Sequence, residues 1–345
     1  MSADPETTGT VNSTRKQSPT ARRGWRGLVL VLLLLTLGFG VLAWRNPLWL
    51  VDKQVDARLR LQGVHSEFVT VNGYKMHYLV GGSGRPLVLV HGLGSRGLDW
   101  ANLIPRLIEG GHRVYAVDLL GYGRSAQPKD AGYSISDQAV MVEGFLDSQH
   151  LQQVDMAGWS MGGWIAMRVA LQHPERIRRL VLLDSAGLRF KLGFDPALFQ
   201  PASPTDLAAL EELLVPHPRP LPGFLAMAML RRGDDIGWVV HRSVQSMMSG
   251  EDLVDGKLGA LTMPVLIGWG EEDRLIPLAV GYRLHAEILQ SELDVYANCG
   301  HLAPGQCVGQ VAPSVVDFLN AQPARMALVR HIPGTSTNDS VFPGQ

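Results

Sequence analysis

The sequence predicts an α/β fold built on a mostly parallel sheet, with helices on both faces and a helical insertion between two strands. Short apolar runs alternate with helical patterns over most of the chain, and one serine lies between glycines where such a run meets a helix. This alternation is typical of βαβ units, whose strands are buried on both faces. Eight strands are predicted, at residues 68–71, 75–80, 86–90, 114–117, 154–157, 180–183, 265–269 and 293–296.

The composition indicates a globular protein with a substantial core. The 345 residues are 46% hydrophobic and 18% charged, and the formal net charge is −1. These values predict one large domain and give no electrostatic footprint for nucleic-acid binding. Cys299 and Cys307 are too few for a disulfide framework and lack the paired spacing of a zinc site, so a single bridge and two free thiols both stay open.

The N-terminal region predicts a membrane anchor. Residues 1–23 are polar and basic and are expected to form a disordered cytoplasmic leader. An uncharged apolar segment fills most of residues 24–46, and as a helix it would extend about 27 Å, close to the thickness of the hydrocarbon core. We therefore expect a single-pass signal anchor in the membrane, with the rest of the chain in the periplasm or outside the cell. A cleaved signal peptide is the alternative, although its apolar stretch usually has only about 7 to 15 residues.

Five further segments follow from composition and periodicity. Apolar residues recur at helical spacing among charged ones in residues 47–65, which predicts an amphipathic linker helix. Residues 66–186 and 262–322 contain the predicted strands and form the predicted core. Residues 187–261 carry many Phe, Leu and Met side chains without a convincing strand, so we expect a helical cap. Residues 323–345 are expected to form a flexible tail.

The most informative motif is Gly158-Trp159-Ser160-Met161-Gly162, which joins a predicted strand to a predicted helix. A serine on such a turn has a strained backbone and an exposed hydroxyl, and the flanking glycines let the strand and the helix approach closely. The alternative is a glycine-rich turn whose serine only caps the helix. The motif alone does not decide between these two interpretations.

Four other motifs each follow a predicted strand. In chain order they are His91-Gly92-Leu93-Gly94-Ser95, Asp118-Leu119-Leu120-Gly121-Tyr122-Gly123-Arg124-Ser125, Asp273-Arg274-Leu275-Ile276-Pro277 and Asn298-Cys299-Gly300-His301. The carboxyl ends of parallel strands meet at one edge of a sheet, so these motifs are expected to converge there. Together with Ser160, which supplies a hydroxyl, they would bring an imidazole and a carboxylate into one site, while the turn from Asp118 to Ser125 is interpreted as structural.

With these motifs in this order, the chain from Phe68 to Leu319 resembles the α/β-hydrolase superfamily, in its serine-nucleophile, esterase- or lipase-like branch with a helical cap. The resemblance implies that Ser160 is the nucleophile, that His301 is its base and that Asp273 orients the imidazole. Asp184, at the end of the sixth predicted strand, remains a rival for the acid because some members of the family place the acid there. Glu271 and Glu272, which adjoin Asp273, are also rivals.

The resemblance also implies which groups surround these side chains. The backbone N–H groups of Leu93 and Met161 would form the oxyanion hole, which stabilises the negative charge of the tetrahedral intermediate. Trp159 and Trp100 are candidate substrate contacts, and Trp164 on the other side of the serine could also line the pocket, although core packing is the more frequent role of such tryptophans. No metal or organic cofactor is expected.

The expected activity is hydrolysis of carboxylic esters through an acyl-enzyme. An apolar cap and a membrane anchor both favour lipid or acylglycerol esters as substrates. One alternative is an enzyme of the same fold that cleaves carbon–carbon bonds or removes N-terminal residues from peptides. Another is a membrane-tethered binding domain without catalysis, for which the loss of a Ser, His or Asp from the set would be the signature. The oligomeric state is left open.

Overall fold

The computed structural model describes residue 9, residues 19–322 and residues 328–334, without the side chains of residues 19–24, 26, 27, 39 and 42–45. Most of the predicted leader and much of the predicted tail therefore lie outside the described residues. The chain divides into two units, Met1–Pro47 and Leu48–Gln345. All strands of the described chain belong to the second unit.

The first unit contains helix α1, Pro19–Arg45. A span must be apolar without interruption for about 20 residues. In the part of the chain that the structure describes, no helix is long and apolar enough to cross a bilayer. The transmembrane segment predicted at residues 24–46 is therefore not supported.

The second unit is built on a nine-stranded sheet with the order β1-β2-β4-β3-β5-β6-β7-β8-β9. Its strands are β1 Val64–Val71, β2 Tyr74–Gly81, β3 Arg85–Val90, β4 His112–Val117, β5 Val154–Trp159, β6 Ile177–Leu183, β7 Val265–Gly270, β8 Ser291–Tyr296 and β9 Val329–Ile332. β2 pairs antiparallel with β1 and with β4, and the other neighbouring strands pair parallel. The predicted, mostly parallel sheet is confirmed.

Helices cover both faces of this sheet. They are α2 Pro47–Leu61, α3 Ile104–Glu109, α4 Ile135–Ser148, α5 Met161–Gln172, α8 Leu278–Glu287, α9 Ala303–Gln306 and α10 Val308–Asn320, while α6 Pro204–Leu214 and α7 Gly223–Ser249 lie in the segment predicted as a cap. Successive side chains of β3 enter different cores: Val88 packs in the layer formed with α4, α5 and α8, and Leu89 packs in the layer formed with α3 and α10. Both faces of the strand are buried, which explains its uninterrupted apolar sequence.

A ninth strand replaces part of the predicted flexible tail. β9 pairs parallel with β8, and the Arg330 guanidinium donates to both carboxylate oxygens of the buried Asp294, with Nε–Oδ1 at 2.7 Å and Nη2–Oδ2 at 2.5 Å. A four-residue strand has too short a pattern to be recognised by periodicity. The prediction of eight strands missed it because this bidentate pair, rather than local sequence, holds β9 in place.

The segment predicted as a cap contains α6 and α7 and has no strand among its residues. The segment predicted as a linker contains α2, which packs on the core through Leu48 and Leu59. Asp52 of α2 binds Arg96 in the loop after β3 and Arg232 of α7, with shortest N–O distances of 2.7 and 2.8 Å. One carboxylate thus joins α2, this loop and the cap.

The turn after β4 is organised by the buried carboxylate of Asp118. It accepts hydrogen bonds from Nδ1 of His77 at 2.7 Å and from the N–H groups of Gly97 and Arg124 at 2.6 and 2.7 Å. Burial alone would raise the pKa of Asp118, but the hydrogen bond and charge of His77 outweigh it, so this pKa lies below its usual value. The ionised carboxylate therefore stabilises the fold.

We expect Asp118→Asn to lower the free energy of unfolding by about 3 kcal/mol at neutral pH, because the substitution removes one partner of a buried pair. A depressed native pKa stabilises the fold above the unfolded pKa, about 3.9, and this contribution is lost as the pH falls through the native pKa. The variant and the wild type should therefore converge in acid. Urea unfolding from pH 7 down to pH 3 measures this, with the exposed Asp130→Asn as the control. A constant difference across that range would contradict it.

Candidate active site

Ser160 lies on the turn between β5 and α5 with φ 56° and ψ −121°. Positive φ is uncommon for a residue other than glycine and marks local strain. A Cβ on Gly158 would lie 2.3 Å from the Gly162 carbonyl oxygen, and a Cβ on Gly162 would lie 2.1 Å from that of Val90. Both positions therefore require glycine, because strand β5, strand β3 and helix α5 converge at this turn.

The structure brings Ser160, His301 and Asp273 together. His301 Nε2 lies 2.9 Å from Ser160 Oγ, and His301 Nδ1 lies 2.7 Å from Asp273 Oδ2. Asp273 Oδ1 accepts hydrogen bonds from the N–H groups of Leu275 and Ile276, both at 2.9 Å. All three side chains are buried. In this geometry the imidazole can accept the hydroxyl proton while the carboxylate fixes its orientation.

The rival acid, Asp184, does not bind the histidine. Its Oδ1 accepts a hydrogen bond from the Gly270 N–H at 2.7 Å. Burial, followed by the negative charge of Asp273, raises the pKa of Asp184 well above its usual value. The carboxyl group beside the imidazole is therefore that of Asp273.

Of the two predicted oxyanion donors, Met161 adjoins Ser160 in the chain and Leu93 lines the cavity that contains Ser160. Met161 is the first residue of α5, so its N–H has no partner within the helix. His91 supports the loop that carries Leu93: its Nδ1 donates to the Gly92 carbonyl at 2.8 Å, and its Nε2 accepts from the Leu119 N–H at 3.0 Å. Burial lowers the pKa of His91, so the ring is neutral and serves as both donor and acceptor.

A disulfide closes the loop that carries His301. Cys299 and Cys307 are bonded, which decides between the two states that the sequence leaves open. The Cys299 carbonyl accepts from the N–H of Glu272 at 2.8 Å, and the His301 carbonyl accepts from Trp159 Nε1 at 2.8 Å. The histidine loop is therefore fixed to the loop that carries the acid and to the residue before the serine.

An apolar cavity of about 140 Å³ opens above Ser160. The segment predicted as a cap, residues 187–261, supplies most of its wall, including Phe190, Phe194, Phe199, Val244, Met247 and Met248. Arg189 is the one charged residue among the described residues that line it. Arg189 carries no sequence signal, since it follows β6 in an irregular segment.

Of the three tryptophans named as possible substrate contacts, Trp159 and Trp100 are placed elsewhere. Trp159 and Trp100 pack edge to face with ring centroids 6.5 Å apart, and neither belongs to the described residues that line the cavity. Trp159 directs its indole N–H to the His301 carbonyl, while Trp100 is buried in the core. The tryptophan that does line the cavity is Trp164, on α5. The predicted substrate contacts at Trp159 and Trp100 are therefore not supported.

Comparison with known proteins agrees with this architecture. Residues 85–214 match the family model described as alpha/beta hydrolase fold. The chain is 34% identical over 257 residues to a 2-hydroxymuconate semialdehyde hydrolase of Pseudomonas sp. (strain CF600), covering 69% of this chain and 88% of the relative.

Solved structures share the fold as well. A membrane phospholipase A, named as a bacterial virulence factor, has a TM-score of 0.71 and 26% identity over 86% of this chain and 99% of its own. A meta-cleavage product hydrolase of Pseudomonas fluorescens IP01 has a TM-score of 0.67 and 25% identity over 74% of this chain and 97% of its own.

These relatives correct the expected activity. The sequence predicts a membrane-anchored ester hydrolase, whereas curated relatives of 30–34% identity are named as hydrolases of 2-hydroxymuconate semialdehyde and of 2-hydroxy-6-oxo-dienoates, and a solved relative is named as a meta-cleavage product hydrolase. The same serine, histidine and acid serve both reactions, so the motifs alone could not separate them. The family model, the sheet order and the relative that is 34% identical over most of its length all agree. The chain therefore belongs to the family of hydrolases with the α/β-hydrolase fold.

Proposed function

We propose that this protein is a serine hydrolase that cleaves a carbon–carbon bond in a 2-hydroxy-6-oxohexa-2,4-dienoate. The 34% identity to a 2-hydroxymuconate semialdehyde hydrolase, which covers 88% of that relative, is the observation that carries the proposal. The contact of Ser160 with His301 and of His301 with Asp273 supports it, because the reaction needs an activated hydroxyl.

The chemistry explains how one site can break such a bond. Before the attack, the dienol tautomerises: the 2-hydroxyl becomes a ketone and C5 gains a proton. Ser160 Oγ then attacks the carbonyl carbon C6 while His301 Nε2 takes the hydroxyl proton. The N–H groups of Leu93 and Met161 stabilise the resulting oxyanion.

The departing group is a carbon atom, so its electron pair must be delocalised. When the C5–C6 bond breaks, this pair moves through the C3–C4 double bond onto the 2-oxo oxygen, and His301 returns the proton there. The first product is 2-hydroxypenta-2,4-dienoate, and the acyl group remains on Ser160. Water activated by His301 then hydrolyses the acyl-enzyme and releases the second product, a carboxylic acid.

The cavity fits both ends of this substrate. Its apolar wall suits the diene and the substituent on C6. The C1 carboxylate needs a cationic partner, and Arg189, which is exposed to solvent at the cavity, is the one charged residue among the described residues that line it. Since a guanidinium can bind a carboxylate in a bidentate manner, we assign Arg189 to this role.

The proposal is tested by incubating the purified protein with 2-hydroxymuconate semialdehyde and, in parallel, with p-nitrophenyl esters of increasing chain length. We expect the conjugated dienoate to disappear, with formate and 2-hydroxypenta-2,4-dienoate formed in equal amounts. The value of kcat/KM should be higher for the dienoate than for any ester. Turnover of the esters with the dienoate left intact would overturn the proposal.

We expect Arg189→Gln to raise KM for the dienoate about tenfold to a hundredfold and to leave kcat nearly unchanged, because a hydrogen bond to a charged group contributes about 1.5–3 kcal/mol. Neutral esters, which lack the carboxylate, should be unaffected. Steady-state kinetics measure this, with Arg219→Gln as the control because Arg219 is exposed on the same cap and does not line the cavity. An equal loss in both variants would refute the assignment.

A further inference from the structure

A second buried carboxyl group lies behind the proposed catalytic residues, and the proposed reaction does not use it. Asp184 is the first residue after β6, and its side chain is completely buried. Its φ of 45° lies in the left-handed region, which costs conformational energy for a residue other than glycine. The contacts of its side chain must offset this cost.

These contacts hold the acid loop, which we define as Gly270 to Asp273. Asp184 Oδ1 accepts from the Gly270 N–H at 2.7 Å, and the Gly270 carbonyl accepts from the Asp273 N–H at 3.2 Å. A Cβ on Gly270 would lie 2.3 Å from the Gly300 carbonyl oxygen, so the acid loop and the histidine loop touch at this point. A shift of Gly270 would therefore change the contact between Asp273 and His301.

The surroundings of Asp184 disfavour a negative charge. Its Oδ2 is buried and has no hydrogen-bond partner among the described residues. The titratable groups that face it are the carboxylate of Asp273 and the phenol of Tyr296, and neither is a cation. A carboxylate buried without a cation is costly, and such a group normally takes up a proton instead.

We propose that Asp184 is a positioning residue that acts as an uncharged carboxylic acid. Its Oδ1 anchors Gly270 and thereby the acid loop, while its neutrality leaves Asp273 as the anion that faces His301. The inference rests on the proposed roles of Asp273 and His301. It does not depend on the identity of the substrate.

Thermal unfolding of Asp184→Asn tests the protonation state. Asparagine keeps the Oδ1 acceptor and cannot ionise. If native Asp184 holds its proton, the unfolded wild type releases that proton above its pKa of about 3.9, and the wild type alone loses stability as the pH rises. The melting temperature of the variant relative to the wild type should therefore be higher at pH 8 than at pH 4. A relative melting temperature that stays constant or falls over this range would overturn the proposal.

Infrared spectroscopy gives a second, direct readout. A protonated carboxyl group has a C=O stretch that an ionised carboxylate lacks. At neutral pH this band should be equally strong in the wild type and in Glu271→Gln, whose carboxylate is exposed in the same loop, and it should lose the intensity of one carboxyl group in Asp184→Asn. Equal spectra for the three proteins in this region would refute an uncharged Asp184.

The positioning role is tested by the rate at which a fluorophosphonate labels Ser160, since this rate reports the reactivity of the serine without any substrate. Asp184→Asn should label within about threefold of the wild type, and Asp184→Leu, which leaves the Gly270 N–H unpaired, should label at least about tenfold more slowly. Wild-type labelling by Asp184→Leu would overturn the role, and if that variant does not fold, the two measurements on Asp184→Asn decide. Normal labelling without dienoate turnover would instead count against the proposed function alone.

Discussion

Ser160→Ala is expected to lower kcat for the dienoate about a million-fold, the size of effect found when a serine hydrolase loses its nucleophile. Without Oγ no acyl-enzyme can form, and His301 Nε2, now 2.9 Å from an empty position, has no hydroxyl to deprotonate. The fold should be unchanged, because the Ser160 N–H and carbonyl keep their backbone bonds. Product formation under single-turnover conditions measures the loss.

Ser83→Ala is the matched control, since Ser83 is an exposed serine in the short segment between β2 and β3, away from the described residues that line the cavity. It should keep wild-type kcat and melting temperature. If Ser160→Ala retained more than about one per cent of wild-type kcat, a nucleophilic role for the serine would be contradicted. If neither the wild type nor the variant turned over the dienoate or the esters, the alternative of a binding domain would gain support.

The turn that carries Ser160 was predictable because its geometry is local. At Gly158 and Gly162 a Cβ would lie within 2.3 Å of a backbone atom, so both positions need glycine. Both glycines belong to the five-residue motif itself, which is why the sequence alone reveals the turn. The apolar strands were predictable for a related reason: β3 is buried on both faces, so it has no polar positions to interrupt the pattern.

Features that depend on distant partners were not predictable in this way. β9 is held by the pair between Arg330 and Asp294, which lie 36 residues apart in the chain. Trp159 was expected to face the substrate, but the His301 carbonyl, 142 residues away, accepts its N–H. A tryptophan beside a reactive serine has the same sequence signal whether it faces the cavity or the core.

The substrate could not be predicted from the sequence for the same reason. Arg189 becomes part of the cavity only because the segment after β6 folds over Ser160, and no periodic pattern marks that segment. Ser160, His301 and Asp273 alone are compatible with an ester or with the proposed dienoate, since both substrates present a carbonyl carbon to Ser160. What differs is the group that leaves, and the cavity wall rather than the Ser-His-Asp motifs determines which group can be bound.

Asp273→Asn is expected to lower kcat about ten-thousand-fold with little change in KM, because it reverses the proton positions on His301. Asp273 Oδ1 is held by the N–H groups of Leu275 and Ile276. The asparagine oxygen would keep these bonds, so its NH2 group would take the place of Oδ2 and face His301 Nδ1. Nδ1 would then have to accept, the ring proton would move to Nε2, and Nε2 could no longer take the proton of Ser160.

Asp184→Asn is the matched control for Asp273→Asn, because both substitutions replace a buried carboxyl group by an amide of the same shape within one site. Asp184 makes no hydrogen bond to the imidazole in the described structure, and its Oδ1 bond to the Gly270 N–H survives the change. We measure kcat for both variants and the wild type from pH 6 to pH 9. Throughout this range kcat of Asp273→Asn should lie far below the wild-type value, and kcat of Asp184→Asn should stay within about threefold of it. The reverse pattern would assign the acid to the end of β6 and would remove Asp273 from the catalytic set.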